Sequence, residues 1–494
     1  MLDYPTEQEI EALRSLISRY FPVYNVSINY DSMVFHCEVD EARLEEDFDR
    51  LRIEMRDKGY VPVIKNIKGE YVIFVKRFPR MKYRGTALNI AMFLLTIITT
   101  SIAGVLQWYS YVNPSQSSAD IRTLFTLSNI LYGEIFFTIP LLTILGVHEM
   151  GHYLMAKRRN IRASLPFFIP FMPPLGTMGA FISIREPIPD RKSLLDIGIA
   201  GPIAGFIVAI PVTVLGLYLG AQNPQPAPAI PDSGTVIIGL PLIYQLMALF
   251  IPVDGIMHPL AFAGWVGFLV TAINLLPAGQ LDGGHIARAL FGDKAKYVSY
   301  GAVIFLLVLG LEYTGWLIFA FLIILLGVNH TPPLNDISKL KPDRKALGAF
   351  GIVLLLICFV PIPFQPIPAV HDIEAYPFAG EGNNTTAMPG STVYFNFTVK
   401  NNGTVGEDIT MLIPTYPRKW SAFFFIYNTS NSSSSFQFHL SPGEEKNFTL
   451  EVDIPQNESA GDYKIGVLLS SKSGTSIKMD FLVSIPSENT EVPG

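Results

Sequence analysis

The chain has 494 residues, of which 16% are charged and 49% are hydrophobic, and its formal net charge is -6. Few charges and a positive mean hydropathy are atypical of a soluble globular protein and indicate a polytopic membrane protein. No basic run is interleaved with aromatic residues, and the two cysteines are far apart, so we expect neither a nucleic-acid partner nor a disulfide scaffold.

Residues 1–82 are predicted to form a small cytoplasmic α+β domain. The first residues are polar and acidic, without the basic start and apolar core of a cleavable signal peptide. We interpret this domain as a regulatory or stabilising appendage. Its predicted elements are a helix from Glu7 to Arg19, strand structure from Tyr24 to Val39, an amphipathic helix from Asp40 to Lys58 that is capped by Asp40, and two short strands around Lys68-Gly69.

Residues 83–365 are predicted to form a transmembrane domain, because long apolar stretches approach the roughly 20 residues that cross a bilayer. A further apolar stretch, Val236 to Val253, would reverse every later segment if it spanned the membrane. We therefore interpret it as re-entrant or interfacial, which Pro241 and Asp254 favour. The seven predicted spans are 86–110, 132–156, 194–220, 259–283, 297–312, 315–329 and 346–363.

Lysine and arginine residues in the short loops predict the orientation, because such residues are retained on the cytoplasmic side. Residues 221–258 contain neither, and residues 111–131 contain only Arg122. The sequence therefore predicts a cytoplasmic N-terminus and, after seven crossings of the cell membrane, an extracellular C-terminus. The basic residues assigned to the cytoplasmic side are Lys76, Arg77, Arg80, Lys82 and Arg84; Lys157, Arg158, Arg159 and Arg162; and Lys339, Lys341, Arg344 and Lys345.

Residues 366–494 are predicted to form an all-β, immunoglobulin-like sandwich outside the cell. Alternating segments such as Ser391 to Val399 are separated by Asn-Gly, Pro-Gly and Ser-rich turns. The sandwich is a candidate for binding the ectodomains of partner proteins. Asn-x-Ser/Thr acceptors predict a glycoprotein, although asparagine, serine and threonine are abundant here; they are Asn383, Asn384, Asn396, Asn402, Asn428, Asn431, Asn447 and Asn457.

The segment His148-Glu149-Met150-Gly151-His152 carries the clearest chemical signal. His148 and His152 are one helical turn apart, so both imidazoles project from one face and suit a single tetrahedral zinc ion. Glu149 is then the candidate base that activates water. The segment lies within the second predicted span, where ionisable groups are costly and mark function. The alternative is a helix-packing cluster without a metal.

A zinc site of this type needs a third protein ligand, and Asp282 is the best candidate. It lies in the stretch from Asn274 through Pro277 to Gly283-Gly284-His285, near the cytoplasmic end of the fourth predicted span. That is the same side as His148 and His152. The proline and the paired glycines loosen the helix, which a membrane tolerates only where backbone is buried in protein or lines a wet cavity.

The His148-Glu149-x-x-His152 segment followed by Asn274-x-x-Pro277-x-x-x-Leu281-Asp282-Gly283 resembles the site-2 proteases, closest to their archaeal and plant chloroplast members. The resemblance covers about residues 86–345. It implies one Zn²⁺ per chain held by His148, His152 and Asp282, with Glu149 as catalytic base and Asn274 steadying the substrate or the oxyanion. It also implies cleavage of transmembrane protein substrates within the lipid bilayer, as in regulated intramembrane proteolysis.

Two further segments bear on the site. Pro166 to Pro189 is apolar but rich in proline, which predicts a hairpin or loop that dips into the membrane. In the family such a segment lies beside the active site, where an extended edge would bind an unwound substrate as an added strand. A purely structural connector is the alternative. His285 is predicted to be an outer-sphere partner or to have no role, and His330 is predicted to have no role.

The leading hypothesis is a membrane zinc metalloendopeptidase. A zinc protease of the prenyl-protein-processing type also carries His-Glu-x-x-His, but that class uses a downstream glutamate ligand on a helix, where this chain has the Leu281-Asp282-Gly283 element. The alternative outside enzymes is a zinc carrier or a zinc-binding scaffold for client helices. Glu149 argues against both, because neither function needs a base beside the metal.

Overall fold

The structure, a computed structural model, describes residues 6–29, 32–77, 86–114, 120–226, 235–253, 255–427 and 432–487. The chain divides into two compact units: residues 1–226 with 239–363, and residues 227–238 with 364–494. Some residues used in the sequence predictions lie outside the described ranges, namely Arg80, Lys82, Arg84, Asp254, Asn428 and Asn431.

The first unit begins with a four-stranded antiparallel sheet and two helices. The strand order is β1-β2-β4-β3, so β1 and β3 are the edges. One hydrophobic cluster, which includes the fully buried Ile17, Phe35 and Leu51, joins the sheet to both helices. The elements are α1 (Glu7–Ser18), β1 (Val23–Asn29), β2 (Ser32–Cys37), α2 (Leu44–Asp57), β3 (Tyr60–Ile67) and β4 (Glu70–Arg77).

Two details of this domain differ from the prediction. The strand-like stretch from Tyr24 to Val39 forms a hairpin of two strands. The second helix begins at Leu44, so the prediction that Asp40 caps it is wrong. The Asp40 carboxylate instead accepts a hydrogen bond from the Ala42 amide at 3.0 Å and stabilises the turn before the helix.

The helices that follow are largely apolar. Among the described residues, three helical stretches have the length and composition to cross a membrane, Thr86–Val112, Leu127–Arg158 and Arg191–Gln222, and two apolar helices are shorter, Pro259–Leu275 and Thr314–Leu326. The elements are α3 (Thr86–Val112), α4 (Ile121–Leu124), α5 (Leu127–Gly133), a π-helical turn (Glu134–Thr138), α6 (Ile139–Arg158), β5 (Phe167–Pro170), β6 (Thr177–Phe181), α7 (Arg191–Gln222), α8 (Leu242–Ala248), α9 (Pro259–Leu275), α10 (Asp282–Phe291), a 3₁₀ turn (Gly292–Lys294), α11 (Ala295–Leu309), α12 (Thr314–Leu326) and α13 (Pro342–Cys358).

The fourth predicted span, 259–283, is wrong as one continuous helix. Helix α9 ends at Leu275, and α10 begins only at Asp282. Pro277 disfavours helical backbone at Leu276, which is extended at φ -57° and ψ 128°. Gly283 lets the first turn of α10 lie against the end of α9, because a Cβ there would be 2.0 Å from the Leu275 carbonyl oxygen.

Neither of the two unusual apolar stretches forms a crossing helix, as predicted. Residues 167–181 form an antiparallel hairpin of β5 and β6 rather than a crossing helix. The stretch from Val236 to Val253 contains the short strand β7 (Val236–Ile238) and the seven-residue helix α8, so no single helix spans it.

The second unit is all-β, as predicted. Strand β7 pairs with β8 (Phe364–Pro366), and two five-stranded sheets have the orders β10-β18-β17-β12-β15 and β14-β13-β16-β11-β9. Fully buried aromatic residues, Phe397, Phe424, Phe448 and Phe481, form the centre of its core. The remaining strands are β9 (Ile373–Pro377), β10 (Asn384–Thr386), β11 (Thr392–Asn401), β12 (Glu407–Thr415), β13 (Ser421–Ile426), β14 (Ser432–Ser433), β15 (Ser435–Leu440), β16 (Glu445–Asp453), β17 (Gly461–Ser471) and β18 (Ser476–Ile485).

Candidate active site

Three predicted metal ligands meet between α6 and the start of α10. The Nε2 atoms of His148 and His152 are 3.2 Å apart. Oδ2 of Asp282 lies 3.3 Å from the first and 3.2 Å from the second. Both histidines are buried, at 3% and 5% exposure. The fold thus brings together residues that are far apart in the sequence.

The spacing of these donor atoms fits zinc. A tetrahedral ion with ligands at about 2.0–2.1 Å has donor atoms about 3.3 Å apart. The three observed separations, 3.3, 3.2 and 3.2 Å, agree with that value. Two imidazoles and one carboxylate are also a donor set that zinc prefers. The site therefore suits Zn²⁺ with a further coordination position open.

Contacts around His152 fix the ring for metal binding. Its Nδ1 lies 2.7 Å from the Ile197 carbonyl oxygen on α7. A carbonyl only accepts hydrogen bonds, so Nδ1 carries the proton and the lone pair of Nε2 is free to bind a metal. Gly201 provides the space for the ring, since a Cβ at that position would be 2.0 Å from Nε2 of His152. The role of Ile197 was not predicted, because a backbone contact between two helices leaves no local signal.

Glu149 lies on α6 beside these ligands and is not one of them. Its Oε1 atom is 4.0 Å from Nε2 of His148, and the residue is 5% exposed. The carboxylate interacts with the backbone of Ile182, the residue that follows β6. A buried carboxylate that is next to a metal-ligand group and is not itself a ligand suits a general base.

Asn274 lies in the last turn of α9 and reaches the same group. Its Nδ2 atom is 3.2 Å from Nε2 of His148. The amide thus lies within hydrogen-bond distance of the metal-ligand group, where its N–H groups can polarise an oxygen atom bound there.

These side chains open into a cavity of about 530 Å³. It is lined by residues 180–184 and 186–188, which begin in β6, and by Gln280, Leu281, Asp282 and His285. Glu149, His152 and Asn274 line the cavity, as do His330 and Thr331, which follow α12. The site therefore has room for a peptide segment beside the metal ligands.

His330 has a neighbour that the sequence did not predict. Its ring packs edge to face on His285, with ring centroids 4.3 Å apart, and both residues line the cavity. Nδ1 of His285 is buried and has no hydrogen-bond partner among the residues that the structure describes. The sequence does not predict this contact, because the fold joins two segments that are distant in the chain.

Residues 136–310, which contain all five predicted site residues, match the family described as Peptidase family M50. The chain therefore contains a peptidase M50 domain. This is the family of the site-2 proteases, so the resemblance predicted from the two motifs is confirmed. Separately, residues 387–471 match the NPCBM-associated NEW3 domain of alpha-galactosidase.

The curated relatives that this chain matches are plant chloroplast proteins. This chain is 31% identical over 300 residues to the probable zinc metalloprotease EGY1 of Arabidopsis thaliana. The match covers 56% of this chain and 53% of that one. This chain is 31% identical to rice EGY1, over 56% and 50% of the two chains, and 30% identical to Arabidopsis EGY2, over 45% and 40%. The chain thus spans about half the length of the EGY1 relatives, at 53% and 50%. The names of these relatives support a zinc metalloprotease.

Proposed function

We propose that the protein is an intramembrane zinc metalloendopeptidase that hydrolyses peptide bonds in or next to transmembrane helices of other proteins, as in regulated intramembrane proteolysis. The observation that carries the proposal is the position of Glu149. It is a buried carboxylate next to three preassembled ligands, on a helical stretch long and apolar enough to cross a membrane. A structural or transport site has no need of such a base.

The residues of the site divide the chemistry between them. His148, His152 and Asp282 would hold the zinc ion, which supplies a Lewis acid that activates water and polarises a carbonyl group. Glu149 accepts the proton of the attacking water and returns it to the leaving amine. Asn274 donates a hydrogen bond to the oxygen on which negative charge develops. The carbonyl of Ile197 keeps the imidazole of His152 in one tautomer.

The β5–β6 hairpin is the proposed site of substrate binding. A peptide bond in a helix is shielded from attack, so a helical substrate must unwind before cleavage. Residues Ala180 to Ile184 line the cavity, and β6 pairs with β5 along one side. An unwound substrate that pairs with the other side of β6 would satisfy its backbone polar groups within the membrane. It would also lie beside Glu149.

We propose seven crossings of the cell membrane, with the N-terminus in the cytoplasm and the C-terminus outside. Charge contacts support placing the basic helix ends on one side. Arg159 at the end of α6 and Arg344 at the start of α13 both pair with the buried carboxylate of Asp196 in α7. Helix ends that share one carboxylate must lie at the same depth, and their excess of positive charge marks the cytoplasmic face.

The sandwich is proposed to meet the extracellular parts of substrates. It is a unit with its own core, and it carries the glycosylation acceptors that suit an exterior location. Deleting residues 370–494 tests this role. We expect the deletion to change the relative cleavage of substrates that differ in ectodomain size, and equal cleavage of all of them would contradict it.

Cleavage of a co-expressed single-span reporter tests the enzymatic proposal. Wild-type protein is expected to release a fragment, and Glu149→Gln is expected to abolish release because the base is lost. Glu134→Gln, at the π-helical turn before α6, serves as the matched control on the same helical stretch. Cleavage by Glu149→Gln at the wild-type rate would contradict a protease. Reporter that co-purifies with every variant and is never cleaved would favour a scaffold.

A further inference from the structure

The edge of the N-terminal sheet is extended by a segment of the membrane domain. Strand β3 is an edge strand, and the Ile64 amide donates a hydrogen bond of 3.0 Å to the Leu334 carbonyl. The Leu334 amide in turn donates to the Ile188 carbonyl at 2.9 Å, and the Asn335 amide donates to the Pro189 carbonyl at 2.8 Å. Three chain segments thus form a ladder that begins in the N-terminal domain.

The two connectors held in this ladder are also the walls of the active-site cavity. One connector joins β6 to α7 and lines the cavity with Glu186, Pro187 and Ile188. The other joins α12 to α13 and lines it with His330 and Thr331. Each connector passes from the cavity into the ladder within a few residues. The distance between the two walls therefore depends on their attachment to β3.

The side chain of Leu334 anchors the second connector. It is 6% exposed and belongs to the hydrophobic cluster of the N-terminal domain, together with Ile64 and Leu16. Asn335 is 1% exposed, and its Oδ1 accepts hydrogen bonds from the amides of Ile337 and Ser338 at 3.1 and 3.2 Å. These contacts give the connector one conformation at the point where it joins the sheet.

Two ion pairs attach helix α2 to the first connector and to α7. Arg56 donates to the Asn160 carbonyl at 3.1 Å and to Oε2 of Glu186 at 3.4 Å. Glu45 accepts a hydrogen bond of 2.7 Å from Nζ of Lys192, near the start of the helix that contacts His152. The N-terminal domain therefore contacts the first connector through an ion pair and the second connector through a backbone hydrogen bond.

We propose that the N-terminal domain positions the mouth of the active-site cavity, with Leu334 and Ile64 as positioning residues that set the separation of its two walls. The inference rests on the proposed peptidase function, because the walls are those between which the substrate would lie. A domain that positions the walls governs substrate binding and leaves zinc binding and the hydrolytic groups unchanged.

The test compares two leucine-to-alanine variants of full-length protein in the same hydrophobic cluster. Leu334→Ala removes the anchor of the connector, whereas Leu16→Ala removes a buried side chain of α1, at 3% exposure, that is not part of either connector. Leu334→Met keeps the volume and should restore the anchor. The readouts are KM and kcat for a single-span substrate in detergent micelles, zinc content, and amide hydrogen exchange.

We expect Leu334→Ala to raise KM about tenfold with kcat within about twofold, because it weakens substrate binding and leaves the chemical step intact. Amide exchange should become faster at Ile64 and Asn335, whose amides donate hydrogen bonds in the ladder, with zinc content unchanged. Leu16→Ala and Leu334→Met should have the wild-type KM. Equal effects of Leu334→Ala and Leu16→Ala on KM and on exchange would show a merely stabilising domain.

The exchange measurement separates this inference from the proposed function. If wild-type protein cleaves no substrate, the peptidase proposal fails, while faster exchange at the amides of Ile64 and Asn335 in Leu334→Ala still supports the positioning role. If Leu334→Ala leaves exchange at those residues unchanged, the inference is overturned whatever the activity.

Discussion

The N-terminal domain and the C-terminal sandwich each have a hydrophobic core, but only one of these cores includes a residue from beside the active site. The N-terminal cluster contains Leu334, which follows the cavity-lining residues His330 and Thr331. Among the described residues, the cluster of the sandwich draws on residues 373–485. The N-terminal domain also belongs to the same compact unit as the metal ligands, whereas the sandwich forms a unit with β7.

This difference predicts which property a substitution in each region should change. A destabilising substitution in the N-terminal core, which contains a residue of a cavity connector, is expected to weaken substrate binding. A destabilising substitution in the core of the sandwich is expected to unfold that unit alone. The two regions are therefore expected to differ in function even though both flank the membrane helices in the sequence.

The largest effect is expected for Gly201→Ala, within the unit that the N-terminal domain shares with the site. A Cβ at this position would be 2.0 Å from Nε2 of His152, so α7 or the imidazole must move. We expect zinc affinity to fall about 10- to 100-fold, as for other changes that misorient a ligand, with loss of cleavage. Chelator competition and the reporter assay measure the two effects.

The matched control is Gly146→Ala on α6. A Cβ there would meet only Cζ of Phe168, at 3.8 Å, which is ordinary van der Waals contact. Zinc affinity should stay at the wild-type value. If both substitutions lowered the affinity equally, the effect would reflect general helix packing rather than the space that Gly201 gives to His152.

A substitution in the core of the sandwich should lower the stability of the second unit and leave zinc binding unchanged. Phe397 is fully buried and packs near Phe448 and Phe481, with ring centroids 5.9 and 5.8 Å away. Phe397→Ala should destabilise this unit by about 3–5 kcal/mol. Thermal unfolding of the second unit should shift downward, while zinc content and cleavage of a reporter with a short ectodomain stay constant. A parallel loss of zinc would show that the two units are coupled.

The smallest expected effect concerns an ion pair in the N-terminal domain. A hydrogen bond from Arg77 lowers the pKa of the Glu9 carboxyl from its ordinary value of 4.5 to about 2, with a further contribution from the Tyr60 hydroxyl. The folded-state pKa is depressed, so the stabilisation is present above pH 4.5 and is lost as the pH falls toward 2.

Arg77→Gln should therefore raise the Glu9 pKa, and the difference in stability between variant and wild type should shrink as the pH falls through that window. A carboxyl NMR titration and unfolding at several pH values measure the two quantities. Arg14→Gln, which alters the exposed pair with Glu11 on the same helix, is the control. A Glu9 pKa that does not change in Arg77→Gln would contradict the assigned cause.

Local patterns predicted much of the chemistry. The spacing of His148 and His152 defines one face of a helix whatever surrounds it, and Asp282 followed from the scarcity of other ligands in the membrane domain. The alternating pattern and turns after residue 366 likewise predicted the β-strands of the second unit. These features depend on a few neighbouring residues, and their periodicity is visible in the sequence.

Local sequence patterns do not predict contacts between segments that are distant in the chain. The partner of His330, the carbonyl that orients His152, and the attachment of Leu334 to the N-terminal core each join segments that only the fold brings together. The break between α9 and α10 was missed for a different reason. Pro277 indicates a loosened helix, but hydropathy alone continues the predicted span to Gly283.

The central claim is that three ligands and one separate base form the site, and zinc content tests it most directly. Purified full-length wild type and Glu149→Gln are each expected to hold about one zinc ion per chain, because the carboxylate is not a ligand. Asp282→Asn and His148→Ala are expected to retain little zinc. Full zinc in Asp282→Asn together with loss of zinc in Glu149→Gln would contradict the assignment, because Glu149 would then be the third ligand.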